Sequence, residues 1–334
     1  MTRAITLLVA ASAVAQAPQI GEINFYGLHK VTPAQILSTL HLRAGGPLPP
    51  SKGELEDLLE KIPGVVLARV EAVCCEGPAA ALFIGIEERG APHPSFRSQP
   101  ESSATLPDPL LETYQRFLEA VERAALKGNA GEDLTAGHSQ MADREARACQ
   151  EQFAAFATEH VDELRDVLRN SSEPAHRAAA AVVIGYGPKK RGIVNDLQYA
   201  LQDPEPAVRA SAARSLAAVA VLAGRQPELE IHIEPTWFLE MLNSIVLSDR
   251  MESAKALLIL TDGSNQAALA RIRESGLGPL AEMARWKTPR YALPPFLLLG
   301  RAGGMSDARI HELWQKGDLE AVIRQAMGNG GKKR

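Results

Sequence analysis

The sequence predicts a small α+β domain followed by an all-α helical array, and three observations carry that prediction. Between Ile20 and Glu88, strand-like alternation, two capped amphipathic stretches and a hairpin pattern give the order β-α-α-β-β. From Gly90 to Pro109, five prolines (Pro92, Pro94, Pro100, Pro107 and Pro109) resist both helix and sheet. Farther on, Glu173-Pro-Ala-His-Arg-Ala-Ala-Ala-Ala181 returns 32 residues later as Glu205-Pro-Ala-Val-Arg-Ala-Ser-Ala-Ala213, identical at seven of nine positions. A repeat of that period between helical segments predicts paired helices stacked into a solenoid.

The first residues read as a secretory signal over residues 1–15. Arg3 supplies the early cation, Ala4 to Val14 the apolar run, and Ala13-x-Ala15 the small-residue cleavage pattern, making Gln16 the expected mature start. The run is too short to span a bilayer, so the mature chain is expected to carry no integral span. Location is then periplasmic or secreted, or membrane-anchored if the signal is retained. With 36 Lys plus Arg against 40 Asp plus Glu, the formal charge of −4 argues against nucleic acid as a partner. Three cysteines, Cys74, Cys75 and Cys149, exclude a dense disulfide framework, and of the neighbours Cys74 and Cys75 one reads as buried and one as exposed, free Cys behaving as a small hydrophobe.

In the small domain, expected over residues 20–88, Ile20-Gly-Glu-Ile-Asn-Phe25 alternates as a half-buried strand. Thr32-Pro33 with Gln35 forms a capping box ahead of Ile36, Leu37 and Leu40; Ser51 and Glu54 repeat the logic ahead of Leu55, Leu58, Leu59 and Ile62. Val65 to Cys75 and Ala80 to Glu87 flank the turn Glu76-Gly77-Pro78, a hairpin pattern. Here the sequence resembles the POTRA family: Ile23-Asn-Phe-Tyr-Gly27, Val31-Thr-Pro33, Leu42-Arg-Ala-Gly-Gly-Pro-Leu48 and Ile84-Gly-Ile-Glu-Glu88 match its landmarks. The resemblance covers a fifth of the chain and implies a docking module of the cell envelope. It also implies capture of an extended segment of an envelope protein along the edge of the Val65–Cys75 strand, at Arg69, Val70, Glu71 and Val73; the alternative is that Pro78, nearby charges or the helical array protects this edge.

Residues 89–109 read as a linker, 110–327 as the helical domain and 328–334 as a flexible basic tail. Leu111, Tyr114, Leu118 and Val121 keep helical spacing, and a helix resumes near Met141. Past the two clear repeats, Trp237 to Thr261 and Leu269 to Gly300 read as weaker pairs, and Ile310 to Met327 closes the array. Pro294-Pro295 predicts a kink or a late start in the last pair. Leu197-Gln-Tyr-Ala-Leu-Gln-Asp-Pro-Glu-Pro-Ala-Val-Arg-Ala-Ser-Ala-Ala-Arg-Ser-Leu216 resembles the HEAT family, particularly its short bacterial lyase-like form, which implies a protein-binding surface.

Arg177, Arg209, Arg250 and Arg290, spaced 32, 41 and 40 residues apart, are expected to bridge neighbouring repeats, Arg209 through Asp203, around core residues such as Leu216. Glu230-Ile-His-Ile-Glu234 places His232 with two carboxylates only if it is a strand, and a solvated loop or short edge strand is the expectation. Gly185-Tyr-Gly187 reads as a helix end. No metal-ligand, nucleophile or phosphate-loop pattern is present, so no cofactor and no catalytic residue are expected. The reading is a non-catalytic, exported binding scaffold; the alternative is an enzyme or enzyme accessory whose site forms only in the folded array.

Overall fold

The computed structural model describes residues 18–73 and 79–330. The expected signal segment, Cys74, Cys75, the turn at 76–78 and residues 331–334 lie outside the described residues.

The small domain follows the order read from the sequence: β1 (Gln19–Tyr26), α1 (Pro33–Leu40), α2 (Lys52–Leu59), β2 (Val65–Val73) and β3 (Ala79–Glu88). The Thr32 side chain caps the Gln35 N–H while Gln35 reaches back to Thr32, and Ser51 caps the Glu54 N–H. The sheet order is β1-β3-β2, with β3 parallel to β1 and antiparallel to β2. One face buries Ile23, Val70, Ile84 and Ile86 against Ile36, Leu40, Leu55 and Leu59 of the two helices. Glu88 ties this unit at its end, its carboxylate accepting the backbone N–H groups of His29, Lys30 and Val31 at 2.7–2.9 Å. Burial pushes that carboxyl up, but the three donors outweigh it and hold it below the ordinary glutamate range.

The helical region begins with α3 (Asp108–Leu126), passes a two-stranded ribbon of β4 (Glu132–Asp133) and β5 (Gln140–Met141), and enters α4 (Arg144–Glu159). Helix pairs follow: α5 (Val161–Asn170) with α6 (Pro174–Val183), α7 (Lys190–Ala200) with α8 (Pro206–Arg225), and α9 (Thr236–Met241) with α10 (Leu247–Leu260). A fourth pair joins α11 (Gln266–Arg271) and α12 (Leu277–Ala284) to α13 (Pro289–Ala302), and α14 (Asp307–Lys316) and α15 (Leu319–Gly330) close the array. The second helices α6, α8, α10 and α13 pack successively. The Ala-rich faces of α6 and α8 permit close approach, and Leu216 of α8 is fully buried there. Helix α13 runs through Pro294 and Pro295 and starts at Pro289 like its counterparts, so the expected late start does not occur. Helix α8 is long and apolar enough to cross a membrane by length and composition, and just over half of that apolar window is buried in the array.

The second face of the small sheet is also buried, against the array. Tyr26 and Phe83 join the array's core, with Phe83 edge-on to Trp286 and Tyr291 at centroid distances of 5.2 and 5.6 Å. Gly85 is required there, because a Cβ at this position would fall 2.4 Å from the Tyr26 ring. Residues 91–106 contain no helix, as the prolines predict, but the segment is more than a linker. It runs extended across the repeat turns, with a parallel bridge between Ser102 and Ser171.

Candidate functional site

The structural centre of the array is a ladder of three buried arginines, one near the start of each of α6, α8 and α10. Each reaches back six residues to a turn carbonyl: Arg177 to Ser171, Arg209 to Asp203 and Arg250 to Ser244, at 2.6–2.8 Å. Each also reaches forward to a carboxylate. Arg177 pairs bidentately with Asp203, Arg209 with Asp249, and Arg250 with Glu282 at 3.3 Å. Two planar guanidinium–carboxylate pairs thus lie fully out of water with their hydrogen bonds satisfied, the geometry in which such burial is tolerated.

Two expectations change here. Arg209 uses only the Asp203 backbone carbonyl, because the Asp203 carboxylate is already committed to Arg177. Arg290 is not a rung: it is exposed and bonds the hydroxyl of its neighbour Tyr291. Sequence reasoning missed Asp249. The signal was available, since the third copy has Ser244 where the second has Asp203, so its forward carboxylate needs another source. Ser244 Oγ donates to Asp249 at 2.7 Å and holds that replacement in place.

Every rung is covered by a residue from the N-terminal part of the chain. The Tyr26 ring lies 4.8 Å from the Arg250 guanidinium, Phe96 lies 3.7 Å from that of Arg209, and Gln99 Oε1 accepts from Arg177. Burial pushes the Tyr26 phenol far above its usual range and the Arg250 guanidinium down. Tyr26 donates to the Ile245 carbonyl, so the phenol stays protonated and bonded. The small domain is pinned beside it by Trp286 Nε1 donating to the Phe25 carbonyl at 3.0 Å, and by Asn24, which accepts from the Lys287 N–H and donates to Thr288.

Residues 161–229 match HEAT repeats. The match spans α5 through α8, the part of the HEAT-like array where the bidentate ladder is formed. No curated protein matches the chain. HEAT-like repeats suggest a protein-interaction scaffold, and the ladder ties successive turns of this array to one another.

The outer edge of β2 differs from its expected role. The Ala68 and Val70 N–H groups, the donors an added strand needs, already donate to Glu60 and Glu56 of the α1–β2 region at 3.1 and 2.8 Å. Arg69 folds back onto the Ala68 carbonyl and approaches Glu56 at 3.8 Å, and Val73 packs toward the array core. Glu71 lies near enough to Tyr26 to act on it electrostatically. The edge is closed at its middle because carboxylates stand where a partner's carbonyls would go. One open feature is a cleft of about 870 Å³ between Phe25, Gly27, Leu28, His29 and Pro33 of the small domain and Gly278, Pro279 and Glu282 of the array.

His232 contacts Glu234 at 2.7 Å, whereas Glu230 turns away to Arg191, and the segment is a loop. Among the described residues, no group of three or more His, Cys, Asp and Glu is placed to hold a metal. Lys190 is buried, its ammonium donating to the Gly185 carbonyl and touching His138 Nδ1 at 3.3 Å. Burial lowers it to about 8, and burial with the Lys190 charge lowers His138. Cys149 is buried, and burial pushes its thiol up, away from nucleophilic use.

Proposed function

We propose that the protein is an exported, non-catalytic scaffold that binds proteins of the cell envelope, with a POTRA-like docking domain fixed onto a HEAT-like array. The observation that carries this reading is the junction cleft, whose two walls come from the two units. Leu28 and Pro33 on one side, and Gly278 and Pro279 on the other, offer apolar wall, and Glu87, Glu282, Arg285 and Lys287 add charges of both signs. That lining suits an extended polypeptide segment better than a small polar substrate. Export rests on the Arg3, apolar-run and Ala13-x-Ala15 pattern, and the envelope setting on the POTRA resemblance.

A photo-crosslinking residue placed at Gly278, where a side chain meets open space, tests the reading in intact cells. The expected result is one discrete adduct with an envelope protein and a mature chain beginning near Gln16. Equal adducts from a probe at exposed Leu126, or recovery of intact Met1 chain in the cytoplasm, overturns it.

A further inference from the structure

The turn face of the array is already occupied, by the chain's own segment from Pro92 to Leu106. Pro92, Pro94 and Pro100 keep that segment extended, and its backbone reads the repeat turns as a bound peptide does. The Arg97 N–H donates to the Gln202 carbonyl, the Ser102 N–H donates to the Asn170 carbonyl, and Ser102 accepts from the Ser172 N–H. Asn170 and Gln202 sit 32 residues apart, at equivalent turns of successive repeats. At the far end, the Leu106 N–H donates to His176 Nδ1.

Three side chains add specificity. Phe96 stacks on the Arg209 guanidinium. The Arg97 guanidinium lies 3.3 Å from the centre of the Tyr199 ring, which also carries Arg169 at 4.4 Å, and donates to the Tyr199 carbonyl. Asp203 adds a favourable charge nearby. Gln99 donates to the Ser172 carbonyl and accepts from Arg177. The fit is incomplete: Arg97 Nε is buried without an acceptor among the described residues. Phe96 is only half-buried, and the polar contacts are made largely to turn carbonyls at the rim.

We infer that this groove is a peptide-reading surface, and that the segment is its resident occupant, displaced by an extended segment of a partner protein. The incoming segment carries an aromatic–arginine pair with a side-chain amide two residues after the arginine, the pattern of Phe96, Arg97 and Gln99. The groove supplies a π-face and a carbonyl for the arginine, and a guanidinium for the aromatic ring. This rests on the scaffold reading but places recognition at the repeat turns contacted by Phe96 to Leu106, beyond Pro92, which lines the junction cleft, so cleft crosslinking from Gly278 and peptide binding at the turns are read separately.

The probe is a labelled synthetic peptide of residues 92–106, titrated into the full chain carrying F96A and R97A, which removes the resident anchors. Expected is saturable binding at least tenfold tighter than to the wild-type chain, abolished when the peptide carries the same two alanines and when Tyr199→Ala is added to the protein. Should the double variant lose its helical signal, Gln99→Ala, which removes only the Ser172 and Arg177 contacts, takes its place with the same outcomes. No binding to a folded variant, or equal binding to the wild type, overturns the proposal. Concentration-dependent dimers of the wild-type chain that the peptide dissociates overturn the partner assignment in favour of a second copy exchanging its own segment.

Discussion

The matched repeats and the junction with the small sheet solve one problem, the burial of an arginine, in two ways. Inside the repeats, Arg177 and Arg209 each find a planar carboxylate that is itself fully buried. At the junction, Arg250 makes the same backward bond to a carbonyl, but Glu282 is 28% exposed, and an aromatic ring from a residue 224 positions earlier closes the site. The repeats are therefore held by contacts that recur every few tens of residues. The junction depends on contacts formed only once both units have folded.

The comparison breaks most severely at Leu216→Asp. A carboxylate in the fully buried repeat core has no partner, so a loss on the order of 5 kcal/mol and collapse of neighbouring helices are expected. Circular dichroism through a urea titration reads this; an unchanged transition removes Leu216 from the core. Next, Arg209→Met strands Asp249 and is expected to cost about 4 kcal/mol, with Arg209→Met/Asp249→Leu recovering most of it. A double-mutant cycle showing no coupling refutes the ladder as a paired unit.

Trp286→Ala tests the junction alone, with about 3 kcal/mol expected from the lost ring contacts with Phe83 and Tyr26. Hydrogen exchange should rise in β1 and β3 while α6 and α8 remain protected; uniform change across the chain denies that the junction is a separate layer of stability. Within the small domain, Glu88→Gln is expected to cost about 2 kcal/mol at neutral pH. Because the folded Glu88 carboxyl lies below its unfolded value, its contribution is present above the unfolded value and lost as pH falls through the folded one. The Gln variant should lose that acid sensitivity, seen as a flatter thermal midpoint against pH.

The smallest effect belongs to Lys190. Its folded value near 8 lies below the ordinary 10.5, so the unfolded chain binds more protons between them, and stability rises with pH across that window. Lys190→Met should remove this slope, and a slope that persists assigns it to another group.

Much of the small domain was legible because its signals are local: the Thr32–Gln35 box, the Ser51 cap and the alternation of β1 each involve residues within a few positions. The first two repeats were legible because their wording is nearly duplicated. The fourth rung was misread because spacing locates a position but does not choose a rotamer, and Arg290 had no carboxylate to enter the core with. The β2 edge was misread because a strand pattern does not reveal that Glu56 and Glu60 reach its free donors. Phe96-Arg97 left a trace as a lone aromatic–basic pair among prolines, but composition alone reads such a stretch as connector.

The sequence by itself determined the element order, the repeat period, the caps and the extended character of residues 91–106, because each follows from short-range stereochemistry and periodic burial. Tertiary structure decided which surfaces remain open. The second face of the sheet, the lids over Arg177, Arg209 and Arg250, and the closure of the β2 edge all join residues far apart in sequence or on different elements. Their meeting depends on how successive helix pairs stack and turn against one another. No local pattern encodes that sum, so the packing of the array selected which apolar and aromatic groups became core and which part of the surface stayed open.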